Sequence, residues 1–305
     1  MHDLLIQNAL IYDGTGAKPY TGFVAVKGDK IAAVGAGAPV GVPAAKVVDA
    51  KGLCLSPGFI DVHSHSDYVI TEDPHRVHIL QMGVTTELAG QCGYSRSPAM
   101  EGMDAPTLAV VQKGPTPLAR TTTQELARVN ELPLGTNQAY FTGHGLLRAG
   151  VVGLRSGQLR EADIEKMQQE LAESIRQGSH GVSTGLSYVP GIYSNTHELT
   201  MLGKTAGEHG GIYTTHSRSE SMGLFKSVEE CIHIAEEGKV PVNISHFKCV
   251  GKVFWERCQQ ALDMIDAAIA KGLNITLDAY PYTACSTTTL TAIPPQFWTR
   301  VWRLL

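Results

Sequence analysis

The stretch from residue 58 to residue 65, Gly58-Phe59-Ile60-Asp61-Val62-His63-Ser64-His65, leads from a short apolar run into two histidines. On a β-strand the side chains of residues i and i+2 point to the same face, so His63 and His65 are predicted to project together. Two imidazoles on one face can hold a divalent cation, and zinc favours nitrogen and sulfur ligands. The pair is a weak signal by itself, because polar residues at the end of any strand give the same pattern.

Six further apolar or β-branched runs follow this stretch, and most lead into a side chain that binds metals or moves protons. The runs lie near residues 84–89, 138–142, 179–184, 211–215, 241–245 and 273–278, and the side chains that follow them are Cys92, His144, His216, His246 and Asp278. In a parallel (β/α) barrel the carboxyl ends of all strands meet on one face, where the active site lies. A doubly wound sheet brings only the strands at its switch point to a ligand. The pattern therefore predicts an α/β fold, an incomplete TIM-like (β/α)8 barrel with about seven strands present.

Helical patterns separate several of these runs. Residues 161–176 carry apolar side chains at three- and four-residue spacing, and Gly272 is the expected stop of a second helix over residues 252–271. The predicted buried stripe of that second helix consists of Phe254, Cys258, Leu262, Ile265 and Ile269. Residues 1–55 read as short strands separated by turns, which predicts a small β meander in front of the barrel.

Composition limits the class of function. The 305 residues are 43% hydrophobic and 18% charged with a net charge of −4, and no Lys/Arg cluster indicates nucleic acid or an anionic membrane surface. A small-molecule substrate is expected. No signal peptide is predicted, and no apolar run reaches the roughly 18 residues that a membrane span needs. The six cysteines are scattered, so reduced thiols and a cytoplasmic location are expected.

The side chains at the strand ends together predict a metal site. A thiolate from Cys92 and imidazoles from His216 and His246 make a suitable zinc shell with a fourth position open to water. Taken singly, each has an ordinary alternative, because a cytosolic thiol is often an inert core residue and a buried histidine is often only hydrogen-bonded. Five such residues at successive strand ends favour the metal site. His144 is predicted to support the site or contact the substrate rather than bind the metal.

At these residues the sequence resembles the amidohydrolase superfamily, whose first barrel strand looks like Pro57–His65 and whose small β-sandwich resembles the N-terminal meander. Many members carry a carboxylated lysine at the end of strand four, and Gly181–Leu186 offers none. The N-acyl-D-amino-acid deacylase (D-aminoacylase) branch carries a cysteine after strand two, and Gly90-Gln91-Cys92-Gly93 is similar to that motif. The resemblance implies a β-sandwich portion over residues 1–55 and a metal-dependent hydrolase barrel over 56–305 that lacks its last strand.

The resemblance also assigns the metal ligands. It implies one tight Zn²⁺ site at Cys92, His216 and His246, and a second, weaker site at His63 and His65. The implied reaction is zinc-dependent hydrolysis of an N-acyl-D-amino acid to a carboxylate and a D-amino acid.

The resemblance further implies that Lys248, Tyr280 and Ser286 contact the substrate, and that Tyr188 lies near its side-chain pocket. The aspartate that transfers the proton in this branch is expected beyond residue 305. A structural or substrate-loop role is expected for Asp278, the one acid at the end of a late strand. The chain is therefore expected to be a fragment that binds zinc and hydrolyses little.

Two alternatives remain open. The first is a related amidohydrolase of the isoaspartyl dipeptidase, dihydroorotase or hydantoinase type, against which the missing strand-four lysine weighs. The second is a non-catalytic metal-binding remnant.

Overall fold

The computed structural model describes residues 1–288, which divide into two compact units, Met1–Phe59 and the residues from Ile60 onward. The strands of the first unit are β1 (His2–Ile11), β2 (Tyr20–Lys27), β3 (Lys30–Ala36), β4 (Ala44–Asp49) and β5 (Cys54–Leu55). They form one five-stranded sheet in the order β3-β2-β1-β4, with β5 also beside β1. The prediction of a simple meander is wrong, because β4 and β5 pair with β1 in parallel. The chain crosses to the far edge of β1 after β3, and turn residues alone do not reveal such a crossing.

Eight strands follow in the described part of the chain. They are β6 (Phe59–Asp61), β7 (Val84–Ala89), β8 (Asn137–Tyr140), β9 (Thr142–Gly143), β10 (Gly181–Gly185), β11 (Ile212–His216), β12 (Val242–Ile244) and β13 (Ile275–Leu277). One sheet has the order β6-β7-β8 and the other has the order β9-β10-β11-β12-β13. Each predicted run contains a strand, and the third is divided at Phe141 into β8, which pairs with β7, and β9, which pairs with β10.

The order of these strands distinguishes the predicted barrel from a doubly wound sheet. Neighbouring strands are consecutive in the chain, and the pairs from β7 to β8 and from β9 to β13 are parallel. A doubly wound sheet reverses its order at a switch point, whereas a (β/α) barrel adds each strand beside the previous one. The structure therefore has the strand order of the predicted barrel type.

Helices lie between many of these strands along the chain. They are α1 (Val77–Leu80), α2 (Ala105–Val111), α3 (Thr122–Asn130), α4 (His144–Val152), α5 (Glu161–Arg176), α6 (Thr196–Glu208), α7 (Leu224–Gly238) and α8 (Arg257–Ala270). Short 3-10 turns lie at Ser66–Tyr68, Gly191–Tyr193 and Lys252–Phe254. Within residues 1–288, no helix has both the length and the apolar character needed to cross a bilayer.

Helix α5 matches its predicted span and buries Ile164, Met167 and Leu171, as its apolar spacing indicates. These side chains belong to the main core, which the strands β10–β13 share with helices α5–α8. The core fixes where each strand ends, and so it fixes where the polar side chains at those ends lie.

The predicted face of the second helix is partly wrong. Helix α8 begins at Arg257, after a separate turn, and it buries Ala261, Ile265 and Ala268 while Ile269 is exposed. Small alanines let the helix lie close to the sheet. The predicted stripe consisted of larger residues and therefore did not include these alanines. The predicted stop is confirmed, because Gly272 follows the helix with φ of +95°, a value that favours glycine.

Candidate metal centre

The turn after β7 carries Cys92 in a strained conformation. Its φ is +55°, a left-handed value that residues other than glycine rarely adopt. The turn is packed closely against the next strands: a Cβ added at Gly143 would lie 2.6 Å from the Gly93 carbonyl oxygen, and one added at Gly145 would lie 2.7 Å from it. A Cβ on Gly185 would meet the carbonyl oxygen of Cys92 itself. This packing holds the buried thiol in one position.

Three imidazoles surround that thiol. The sulfur of Cys92 lies 3.4 Å from His63 Nε2, 3.8 Å from His246 Nε2 and 3.9 Å from His216 Nδ1. In tetrahedral zinc coordination a cysteine sulfur and a histidine nitrogen lie about 3.5 Å apart, given bonds of roughly 2.3 and 2.0 Å. The spacing and the chemistry of these donors therefore fit a zinc ion.

The two histidines of the 58–65 stretch lie in different surroundings. Strand β6 ends at Asp61, so the alternation of side chains along a strand does not extend to His63 and His65. The His63 amide instead donates to the Asp61 carboxylate, 3.0 Å away, and its ring turns towards Cys92. The exposed His65 ring lies 5.6 Å from the His63 ring and stacks on Tyr68. Among residues 1–288, the close groups of possible ligands include His63 but not His65.

Burial shifts the pKa of two of these donors, Cys92 and His216. It raises the pKa of the Cys92 thiol, and the carboxylates of Asp278 and Glu220 raise it further. A thiol in this position becomes a thiolate readily only when a cation lies beside it. Burial, together with the His246 ring, lowers the pKa of His216 to about 3, so this imidazole is neutral near pH 7 and keeps a lone pair for a metal.

Three of the four predicted substrate residues lie around the histidines. The Lys248 ammonium lies 5.1 Å from the centre of the Tyr280 ring, which is 6.3 Å from the His246 ring. The Tyr188 ring lies 4.7 Å from the ring of His216, and burial raises the pKa of its phenol to about 12.

The fourth predicted substrate residue, Ser286, lies exposed on the segment that follows β13. This segment reaches the same region, because Thr287 Oγ1 lies 3.2 Å from the Tyr188 hydroxyl.

The prediction for His144 is wrong as far as substrate contact is concerned, because the residue is completely buried. It begins helix α4, and its Nε2 lies 2.7 Å from the Glu198 carboxylate, which also accepts a bond from Arg148. The sequence around His144 does not indicate its contact with Glu198, because Glu198 lies 54 residues further along the chain.

Two carboxylates contact the cluster. Asp278 accepts hydrogen bonds from the His246 backbone amide and, at 2.6 Å, from the side chain of Asn243. Glu220 lies 2.7 Å from His246 Nδ1, and the sequence reading missed it. Its position four residues after His216, in the loop that follows β11, could have indicated that it lies at the site.

Comparisons with known proteins identify the family of the chain. The model of the Amidohydrolase family matches residues 46–252. The chain is 33% identical over 286 residues to a D-aminoacylase of Alcaligenes xylosoxydans xylosoxydans, a match that covers 93% of this chain and 58% of that protein.

Two solved structures are also similar. The N-acyl-D-glutamate deacylase of Bordetella bronchiseptica, in complex with zinc and a phosphonate inhibitor, matches with a TM-score of 0.86 at 34% identity, over 92% of this chain and 59% of that one. A D-aminoacylase studied for its binuclear metal centre matches with a TM-score of 0.85 at 33% identity, with the same coverage of the two chains. This chain thus spans less than two thirds of the length of these relatives. Its sequence match over residues 46–252, together with its strand order, shows that it belongs to the amidohydrolase family.

Proposed function

We propose that this protein is a zinc-dependent hydrolase that cleaves the amide bond of N-acyl-D-amino acids, producing a carboxylate and a D-amino acid. The observation that carries the proposal is the convergence of the Cys92 sulfur with three imidazole nitrogens within 3.9 Å. The similarity to a D-aminoacylase and to an N-acyl-D-glutamate deacylase supports the choice of substrate class. The six free cysteines support the cytoplasm as its compartment.

In the proposed site, Cys92, His216 and His246 hold one zinc tightly, and His63 and His65 contribute to a second, weaker position. The zinc in the Bordetella bronchiseptica relative and the binuclear centre of the D-aminoacylase support this assignment. When bound, zinc supplies a Lewis acid that polarises an amide carbonyl and activates water.

The chain's own residues then bind and orient the substrate. The Lys248 ammonium, beside Tyr280, neutralises negative charge on the substrate or on the oxygen that becomes negative during hydrolysis. Tyr188, beside His216, packs against the substrate side chain, and Ser286 adds a hydroxyl from the neighbouring segment. The Asp278 carboxylate is engaged by the His246 amide and by Asn243, so we assign it the role of holding His246 in place.

The test measures zinc binding and enantiomer-specific hydrolysis on the same preparations. We expect the purified chain to retain zinc through dialysis and to release acetate slowly, and faster from N-acetyl-D-methionine than from the L enantiomer. Cys92→Ala should lose both properties, because it removes the sulfur ligand. Cys231→Ala is the matched control, since that thiol is equally buried but lies in the core on helix α7.

Equal hydrolysis of the two enantiomers, or zinc retention that Cys92→Ala leaves unchanged, would contradict the proposal. Zinc binding that depends on Cys92 without any hydrolysis would favour the non-catalytic metal-binding alternative. The absence of a lysine in β10, where the sequence is Gly181–Gly185, weighs against the dihydroorotase and hydantoinase alternatives.

A further inference from the structure

Glu220 lies beside the metal cluster without belonging to the predicted set of ligands. Its side chain is only 14% exposed, and its two oxygens are shared between two neighbours. Oε1 lies 2.7 Å from His246 Nδ1 and also accepts from Lys248 Nζ at 2.7 Å, and Oε2 lies 2.7 Å from the same Nζ. A single carboxylate therefore joins a candidate metal ligand to a candidate substrate-binding lysine.

The contact with His246 determines which ring nitrogen is free. A neutral imidazole carries one N–H, and its other nitrogen offers the lone pair that binds a metal. His246 Nε2 faces the Cys92 sulfur at 3.8 Å, whereas Nδ1 faces Glu220. A carboxylate only accepts hydrogen bonds, so it places the N–H on Nδ1 and leaves the Nε2 lone pair directed at the cluster.

Lys248 makes this contact necessary. Its ammonium lies 3.1 Å from the same His246 Nδ1 and donates to the His246 carbonyl oxygen at 2.8 Å. An ammonium can only donate, so by itself it would bond to a Nδ1 lone pair and place the ring N–H on Nε2, facing Cys92. That arrangement blocks metal binding by His246. Glu220 accepts from both groups and prevents it.

We propose that Glu220 is a positioning residue of the metal centre: by accepting from His246 Nδ1 it directs His246 Nε2 to the metal, and by accepting from the Lys248 ammonium it offers that donor an alternative to the Nδ1 lone pair. The inference rests on the proposed function, because it presumes that zinc binds at this cluster. It adds a reason why the cysteine and the histidines form a competent site beside the Lys248 side chain.

The test compares zinc dissociation constants, measured by competition with a chelator, for the purified chain and four variants. Glu220→Ala should weaken zinc binding by about 10- to 100-fold, the usual effect of losing such a partner. Glu220→Gln keeps an acceptor for His246 but loses the charge that attracts Lys248. Its zinc dissociation constant should therefore lie between those of wild type and Glu220→Ala. Glu230→Ala is the matched control, because Glu230 pairs with Arg218 at 2.9 Å in the same region, and it should bind zinc as wild type does.

The double variant Glu220→Ala/Lys248→Met gives the decisive readout. Removal of the competing ammonium should restore most of the lost zinc affinity, whereas a purely structural role for Glu220 would leave the double variant as weak as the single one or weaker. Glu220→Gln, which keeps the size of the side chain, carries the comparison if Glu220→Ala lowers the melting temperature. If the wild-type chain binds no zinc, the proposed function fails as well. If wild type binds zinc and Glu220→Ala binds it equally well, or if the double variant shows no recovery, only this inference is overturned.

Discussion

Gly143→Ala should disrupt the metal centre without altering any of its proposed ligands. The added methyl carbon would lie 2.6 Å from the Gly93 carbonyl oxygen and 2.8 Å from the Ser95 amide nitrogen. Real Cβ contacts stay beyond 3.0 Å, so the turn that carries Cys92 must retreat by about 0.4 Å or more. Metal–ligand distances tolerate shifts of only about 0.2 Å. The backbone at Gly143 has φ of −75°, which alanine adopts freely, so the effect is purely steric.

We expect Gly143→Ala to weaken zinc binding at least about tenfold and to cost about 1–3 kcal/mol of unfolding free energy, the usual cost of overpacking. Calorimetric zinc titration and urea denaturation measure the two effects. Gly22→Ala is the control for stability, because its Cβ would overlap the backbone carbonyl oxygen of Gly35 in the sheet of the first unit. It should destabilise the fold and leave zinc affinity unchanged. Wild-type zinc affinity in Gly143→Ala would refute the claim that packing of this turn positions Cys92.

Two further predictions concern buried charge and pH. Glu198→Ala should cost about 3–5 kcal/mol of unfolding free energy in urea, because it leaves the buried His144 and Arg148 without their carboxylate. Glu170→Ala, which removes a more exposed ion pair, should cost less than about 1 kcal/mol, and equal losses would contradict this reasoning. Zinc affinity should rise about tenfold per pH unit between about pH 6 and 8, because burial raises the pKa of Cys92 and zinc must displace its proton. Calorimetry across that range checks this, and an affinity independent of pH would show that the thiol is already ionised.

The predictions that the structure confirms are those that depend on short stretches of the chain. Each predicted run contains a strand, and helix α5 occupies its predicted span, because alternation and 3.6-residue periodicity are local consequences of backbone geometry. Parallel strands bring their carboxyl ends to one side, so the convergence of Cys92, His216 and His246 also followed from the pattern alone.

The tertiary structure decided how those residues face one another. It turned His63, and not His65, towards Cys92, because the chain leaves β6 in a turn in which the His63 amide donates to the Asp61 carboxylate. It also buried the alanine face of α8, because close approach to the sheet outweighed the size of the side chains.

By itself, then, the sequence determined the barrel-type order of the strands from β6 onward, the elements that carry the site and the donor types at the strand ends, since each follows from patterns along the chain. Only the tertiary structure decided which nitrogen faces the Cys92 sulfur, and that Glu220 bridges His246 and Lys248. Those relations join residues 26 to 154 positions apart. Their physical basis is the packing of one strand end against another, which no local pattern records.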